Sequence, residues 1–292
     1  MTVARTEPVR ESRRQGRPVL PPHVWFLISA LFHYLGPALA VLLFARVAPL
    51  GVAWMRVGSA SVFFAAWRRP WRAVLRRLAR WRLLVVAFGL VLGVMNSCFY
   101  LAIARVPLGT VGAIEFLGPI ALALWGARTK RNLGALVLAV GGAALLADVQ
   151  LRGELLGFAF AAANCALFAV YIVLAHRLAR DDGGGGLDAL ALAMPIGLLT
   201  VTPFGLGDAW PALVQPTLLL AGIGVGLCSS VMPYVTDQLA MARLPRATYA
   251  LFLALLPATA TAIGVVVLHQ WPTLPELAGV VLVVGGVALH RS

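Results

Sequence analysis

The sequence predicts an all-α membrane protein with ten transmembrane helices, built as two inverted five-helix repeats with both termini on the cytoplasmic side. Three observations carry this expectation. Hydrophobic residues make up 61% of the 292 residues and mean hydropathy is +0.89, whereas soluble domains sit near about 45–50% apolar. Long apolar runs recur along the whole chain, each near the roughly 20 residues that cross a bilayer as a helix. One segment, Leu101-Ala-Ile-Ala-Arg-Val-Pro107 running on to Pro119, returns without a gap as Leu239-Ala-Met-Ala-Arg-Leu-Pro245 running on to Pro257. Leu101, Ala102, Ala104, Arg105, Pro107, Thr110, Leu117 and Pro119 all meet an identical residue in the second copy, and duplicated halves in a membrane chain are the build of a transporter.

Residues 1–22 are polar and carry Arg5, Arg10, Arg13, Arg14 and Arg17. They read as a disordered basic cytoplasmic tail with no cleavable signal peptide. The first half, 23–149, holds apolar runs at about 23–45, 49–67, 83–104, 109–127 and 133–148. The second half, 150–292, holds runs at about 155–175, 188–205, 217–242, 247–268 and 277–290. Strand-type alternation is absent, which argues against an outer-membrane barrel.

The formal charge of +13 does not point to nucleic acid, because of where it lies. With both termini inside, the cytoplasmic segments hold twenty of the 24 Lys and Arg residues, and the opposite side holds only Arg46, Arg105 and Arg152. That asymmetry is the positive-inside signature. Five spans per half is an odd number, so the halves cross in opposite senses. The repeated link at Arg105–Leu108 accordingly falls outside and its copy at Arg243–Arg246 inside.

Other features read structurally. Cys98, Cys165 and Cys228 sit singly in apolar runs, with spacing that fits no metal site. Segment 68–82 alternates Arg with Trp67, Trp71, Leu75, Leu78 and Trp81. It is expected to be an orientation-fixing loop, with an interfacial helix on anionic lipid as the alternative. Gly183 to Gly186, after Asp181-Asp182, reads as a flexible linker. Dense small residues such as Gly141-Gly142 and Gly285-Gly286 let helices approach closely in lipid, within one chain or in a homodimer. Gly222-x-Gly224-x-Gly226 belongs with them, since no strand precedes it.

Ionisable residues at membrane depth are costly and mark functional sites by default. Arg56, Glu115 and Asp237 qualify. Glu115 stands one turn before Pro119, which removes a backbone donor and frees the carbonyl of residue 115. The acid is placed to bind an ammonium group or a proton, or to act as a structural partner of Arg56. Asp237 aligns with Phe99, and Glu115 with Leu253, so each half holds one acid where the other has none. Asn96 and Tyr100 are one turn apart, and Tyr234 and Gln238 occupy the matching positions. Such groups suit an amphipathic zwitterion or serve as interhelical glue. His33 lies in the first run and reads more readily as packing than as a titrating group. No phosphate-binding loop, His-Glu-x-x-His or Gly-x-Ser-x-Gly pattern occurs. The expectation is a gradient-driven carrier with no catalytic set, no cofactor and no resident metal.

The stretch Asn96 to Leu124, with Val106-Pro107-Leu108-Gly109 followed by Glu115-Phe116-Leu117-Gly118-Pro119, resembles the threonine/homoserine exporter subgroup of the EamA-type drug/metabolite transporters. Met55-Arg56, Pro233-Tyr234, Asp237 and Leu244-Pro245 fit the same pattern. The resemblance implies a multi-pass exporter of small amino acids and related metabolites in the bacterial inner membrane, driven by proton exchange. Substrate and protons would meet at Glu115, Arg56, Asn96, Tyr100, Tyr234, Asp237 and Gln238, with helix breaks at Pro119 and Pro257. There are departures. Leu256 stands where relatives often have an acid, and His269-Gln270 where many have Gly-Glu. Export of drugs or hydrophobic cations is the alternative, and a membrane enzyme or lipid-binding scaffold is weaker, since the loops are short.

Overall fold

The chain folds by pairing helices across its midpoint. The computed structural model describes residues 21–68, 71–119, 121, 129–150, 154–180, 186–241 and 256–289. Every regular element among them is helical. The helices are α1 (Pro22–Leu43), α2 (Pro49–Arg68), α3 (Trp71–Ile103), α4 (Leu108–Glu115), α5 (Lys130–Gln150) and α6 (Leu155–Arg180). They continue with α7 (Gly186–Leu213), α8 (Pro216–Gly226), a π-helical turn (Leu227–Val231), α9 (Met232–Met241), α10 (Leu256–Leu268) and α11 (Leu274–Leu289).

Six segments are long and apolar enough to cross a membrane: Val24–Leu43, Pro49–Arg68, Arg82–Ile103, Leu155–Ala175, Asp188–Leu213 and Pro216–Thr236. Leu256–Leu268 and Leu274–Gly286 are shorter apolar helices. The runs at 109–127 and 247–268 each lie partly outside the described residues. Large apolar side chains such as Leu27, Leu42, Leu83, Leu199, Phe204 and Val266 face outward, the surface of a protein whose solvent is lipid.

Two expectations change. Segment 68–82 is not a loop, since α3 begins at Trp71 and runs unbroken to Ile103. Nothing between Arg72 and Arg82 is Gly or Pro, and Arg, Leu and Ala are strong helix formers, so the span continues past its apolar end. The run at 188–205 is too short, because α7 extends to Leu213 through Pro195, Pro203 and Pro211. Prolines survive inside membrane helices where neighbouring groups re-satisfy the backbone. Here α2 packs along α7, with Trp54 Nε1 donating to Thr202 Oγ1 at 3.0 Å.

Small residues seat the pairs. α5 packs on α11, where a Cβ on Gly142 would lie 2.5 Å from the Gly279 carbonyl oxygen and one on Gly286 2.6 Å from that of Ala135. α3 packs on α6 and α7. α1 lies against α8, the π turn, α9 and α10, and α4 packs on α10 and α6. Buried apolar side chains form a larger cluster that includes Met55 and a smaller one that includes Val57. Arg56 therefore sits at the seam between two cores.

In each Gly-Gly pair only the second residue is crowded, since nothing lies within 4 Å of a Cβ placed on Gly141 or Gly285. Gly142→Ala and Gly286→Ala are expected to lower the melting temperature of the detergent-purified protein. Gly141→Ala and Gly285→Ala should leave it unchanged or raise it, because Ala gains up to about 1 kcal/mol of helix propensity over Gly.

Candidate functional site

Arg56 is 8% exposed and directs two of its five N–H donors at one feature of the second half. Its Nε donates to Ser230 Oγ at 3.0 Å and its Nη2 to the Ser229 carbonyl at 3.0 Å. Both acceptors lie in the π turn Leu227–Val231. The local sequence explains why that carbonyl is free: Pro233, four residues on, has no N–H to return to it. Glycines bring the turn close. A Cβ on Gly36 would lie 2.6 Å from Ser229 N, and one on Gly226 would lie 2.8 Å from the Arg56 carbonyl oxygen. The guanidinium also stands 5.4 Å from the Tyr100 ring centre. Burying a charge in this setting costs several kcal/mol, and charged hydrogen bonds of about 1.5–3 kcal/mol each offset it. The Tyr100 hydroxyl and Ser229 Oγ are buried without hydrogen-bond partners among the described residues.

Glu115 is the last residue of α4 and is 6% exposed. The helix is interrupted by a turn at Phe116 and resumes over 117–119, with residue 121 helical as well. Asn164 of α6 donates from Nδ2 to Glu115 Oε1 at 3.2 Å. Close packing permits that reach, since a Cβ on Gly118 would lie 2.7 Å from the Cys165 carbonyl oxygen. Glu115 Oε2 and Asn164 Oδ1 have no hydrogen-bond partner among the described residues. Tyr34 of α1 is fully buried and stands beside Gly112, one turn before Glu115, where a Cβ would lie 3.2 Å from the Tyr34 hydroxyl. His33 meets Tyr34 edge-on, ring centres 5.1 Å apart.

Arg56 and Glu115 do not pair. Among the described residues the ion pair is Arg68 with Asp188, 2.6 Å apart and partly exposed. The reading of Glu115 as a structural partner of Arg56 is therefore corrected: the guanidinium is occupied by the π turn and the carboxylate is held by an amide. The two remain within electrostatic reach of each other.

The sequence profile of the EamA-like transporter family matches residues 155–291. The threonine/homoserine exporter RhtA of Salmonella typhimurium (strain LT2) is 33% identical over 256 residues, covering 87% of this chain and 85% of the relative. RhtA of Escherichia coli (strain K12) is 33% identical over 257 residues with the same coverage. The chain belongs to the EamA-like transporter family. A crystal structure that superposes with a TM-score of 0.57 over 92% of this chain and 98% of its own is 21% identical, and shows the fold alone.

Within this EamA-family transporter, Asn96 is buried and donates from Nδ2 to the Leu92 carbonyl at 2.8 Å on its own helix. Tyr234 lies on α9, half-buried against the smaller cluster. Asp237 and Gln238 are on the same helix, but their side chains lie outside the described ones. Pro257 sits in the first described turn of α10, and the chain before it, 242–255, is likewise outside the description. Leu256 is buried in the larger cluster. Gln270 accepts a hydrogen bond from Leu108 N at 3.1 Å. It lines a cavity of about 330 Å³ between α4, α10 and α11 with Thr110, Thr261 and Glu276.

Four residues of the cluster escaped sequence reasoning: Tyr34, Asn164, Ser229 and Ser230. Asn164 carried a readable signal, being an amide inside the apolar run 155–175.

Arg56→Lys and Ser230→Ala are each expected to cost about 1–3 kcal/mol, the worth of a hydrogen bond to a charged group. A lowered melting temperature in detergent would register this. Tyr100→Phe removes an unpartnered hydroxyl and should leave the melting temperature where it was.

Proposed function

We propose that this transporter exports threonine, homoserine or similar small amino acids across the bacterial inner membrane in exchange for protons. The observation that carries the reading is a pair of opposite charges, Arg56 and Glu115, buried in the same helical core yet not neutralising each other. An amino-acid zwitterion presents the complementary pair. Its carboxylate suits the Arg56 guanidinium with the Tyr100 hydroxyl beside it, and its ammonium suits Glu115. In the return step a proton takes the carboxylate in place of the amine. Asn96 and Tyr234 would line the path, and Asp237 and Gln238 are assigned to it by their positions in the sequence alone. The threonine/homoserine exporters at 33% identity support the substrate class.

The proposed topology is ten spans, both termini inside, with 1–22 as the cytoplasmic tail and inverted halves at 23–149 and 150–292. Several features support it. α5 pairs with α11, α2 with α7 and α4 with α10 across the chain midpoint. The amide of Asn132 donates to Thr129 Oγ1 at 3.1 Å, and the amide of Glu276 donates to Thr273 Oγ1 at 3.4 Å, with the same three-residue spacing at the starts of α5 and α11. Both site charges lean on the opposite half, Arg56 on the π turn and Glu115 on Asn164. Rocking of the halves would then open and close the site as substrate comes and goes.

A second reading, export of hydrophobic cations, draws on Leu256, an apolar side chain buried in the core at a position where related sequences often carry an acid. A cation needs Glu115 but not Arg56.

Radiolabelled threonine and homoserine flux into proteoliposomes, with and without an imposed pH gradient, tests the proposal. The wild type should show gradient-driven flux, and Glu115→Gln should fall to the level of protein-free liposomes while inserting normally. Full activity in Glu115→Gln would overturn the role of the acid. Silence toward both amino acids alongside flux of a lipophilic cation would favour the second reading.

A further inference from the structure

Around Glu115 three buried oxygens on three different helices have no hydrogen-bond partner among the described residues: Glu115 Oε2 on α4, Asn164 Oδ1 on α6 and the Tyr34 hydroxyl on α1. A buried polar atom left unsatisfied costs about 1–3 kcal/mol, so three gathered around one carboxylate are an exception to explain. The residues are held firmly. Asn164 is 1% exposed and Tyr34 fully buried. Gly118 seats α6, and Gly112 seats α1 and, through Ala260, α10. Helix packing therefore fixes the group, and side-chain mobility does not explain the missing bonds.

The chemistry of the cluster is specific. Asn164 donates one Nδ2 hydrogen to Glu115 Oε1, and its Oδ1, an amide carbonyl oxygen, can only accept. Glu115 Oε2 is the carboxylate oxygen that Asn164 leaves open. The tyrosine oxygen accepts as well as donates. Arg56, the nearby cation, is engaged by Ser229 and Ser230. The group thus has three acceptor oxygens and one negative charge. A primary ammonium has one positive charge and three N–H donors.

We propose that Asn164 and Tyr34, with Glu115, form a receptor for a primary ammonium group, so that the transporter selects unsubstituted amines over N-methylated ones. This rests on the amino-acid export reading and deepens it, since it adds two specificity-determining residues on α1 and α6. A quaternary ammonium has no N–H to offer and leaves all three oxygens unsatisfied. A site that hydrogen-bonds its ligand rejects analogues lacking the donor because its own buried groups stay unpaired.

The test is calorimetric binding to the full chain in nanodiscs, using L-threonine, N,N,N-trimethyl-L-threonine, n-butylammonium and tetramethylammonium. The wild type should bind each primary amine at least about tenfold tighter than its methylated counterpart. Tyr34→Phe, which keeps the ring and removes only an unpartnered hydroxyl, should weaken primary-amine binding about tenfold. Asn164→Leu should weaken primary amines and abolish the discrimination, leaving the methylated probes unaffected. Equal affinity for methylated and primary probes, or wild-type discrimination in Tyr34→Phe and Asn164→Leu, would overturn the proposal while leaving amino-acid export standing if threonine binds. Discrimination between the alkylammonium probes without threonine binding would sustain the receptor and remove the amino-acid reading. No binding of any probe overturns both.

Discussion

A guanidinium inside a membrane protein must find its acceptors within the chain, and the packing of this molecule follows from how Arg56 finds them. The acceptors come from an irregular piece of helix in the other half, where Pro233 withholds an N–H and the ladder loosens into a π turn. Neither partner is stable alone. The Ser229 carbonyl without a donor and Arg56 without an acceptor are each expensive in an apolar surround. Together they join α2 to the α8–α9 segment at the seam of the two hydrophobic clusters. Gly36 and Gly226 are demanded by this contact, because any side chain there would hold the backbones apart.

Glu115 is the complement of that arrangement. Had it sat within 4 Å of Arg56, the two would have formed an internal salt bridge, and a moving substrate would have had to break it. Asn164 instead steadies one carboxylate oxygen with a neutral amide at 3.2 Å. The result is that each of the two side chains is anchored on the opposite half of the chain, Arg56 on the π turn and Glu115 on Asn164.

Much of this was legible in the sequence, at the level of single residues. Arg56 and Glu115 stand out as charges in apolar runs, and six of the runs coincide with helices long and apolar enough to cross a membrane. What was hidden is pairwise. No pattern near Arg56 names Ser229 and Ser230, which lie more than 170 residues away and act through the Ser230 hydroxyl and a Ser229 backbone oxygen freed by a proline. Asn164 obeys the same rule that singled out Asn96, yet only the fold brings it to Glu115. Hydropathy also underestimates helix length where polar residues are good helix formers, as in α3, or where prolines are tolerated by packing, as in α7. Most of the second copy of the repeated segment, 242–255, and the side chains of Asp237 and Gln238 fall outside the described residues, so the structure adds nothing to them.

The separation between Arg56 and its acceptors also has a consequence for biosynthesis. Ser230 follows Arg56 by 174 positions. At about 5–20 residues per second, α2 emerges from the ribosome roughly ten to thirty-five seconds before the turn that will receive its charge. During that interval the guanidinium lacks the acceptors it has in the folded chain, and α2 carries a cost of several kcal/mol that snorkelling toward the headgroups reduces. Its final depth is therefore set late, by the arrival of the second half, which serves the nascent first half as a chaperone encoded in the same chain.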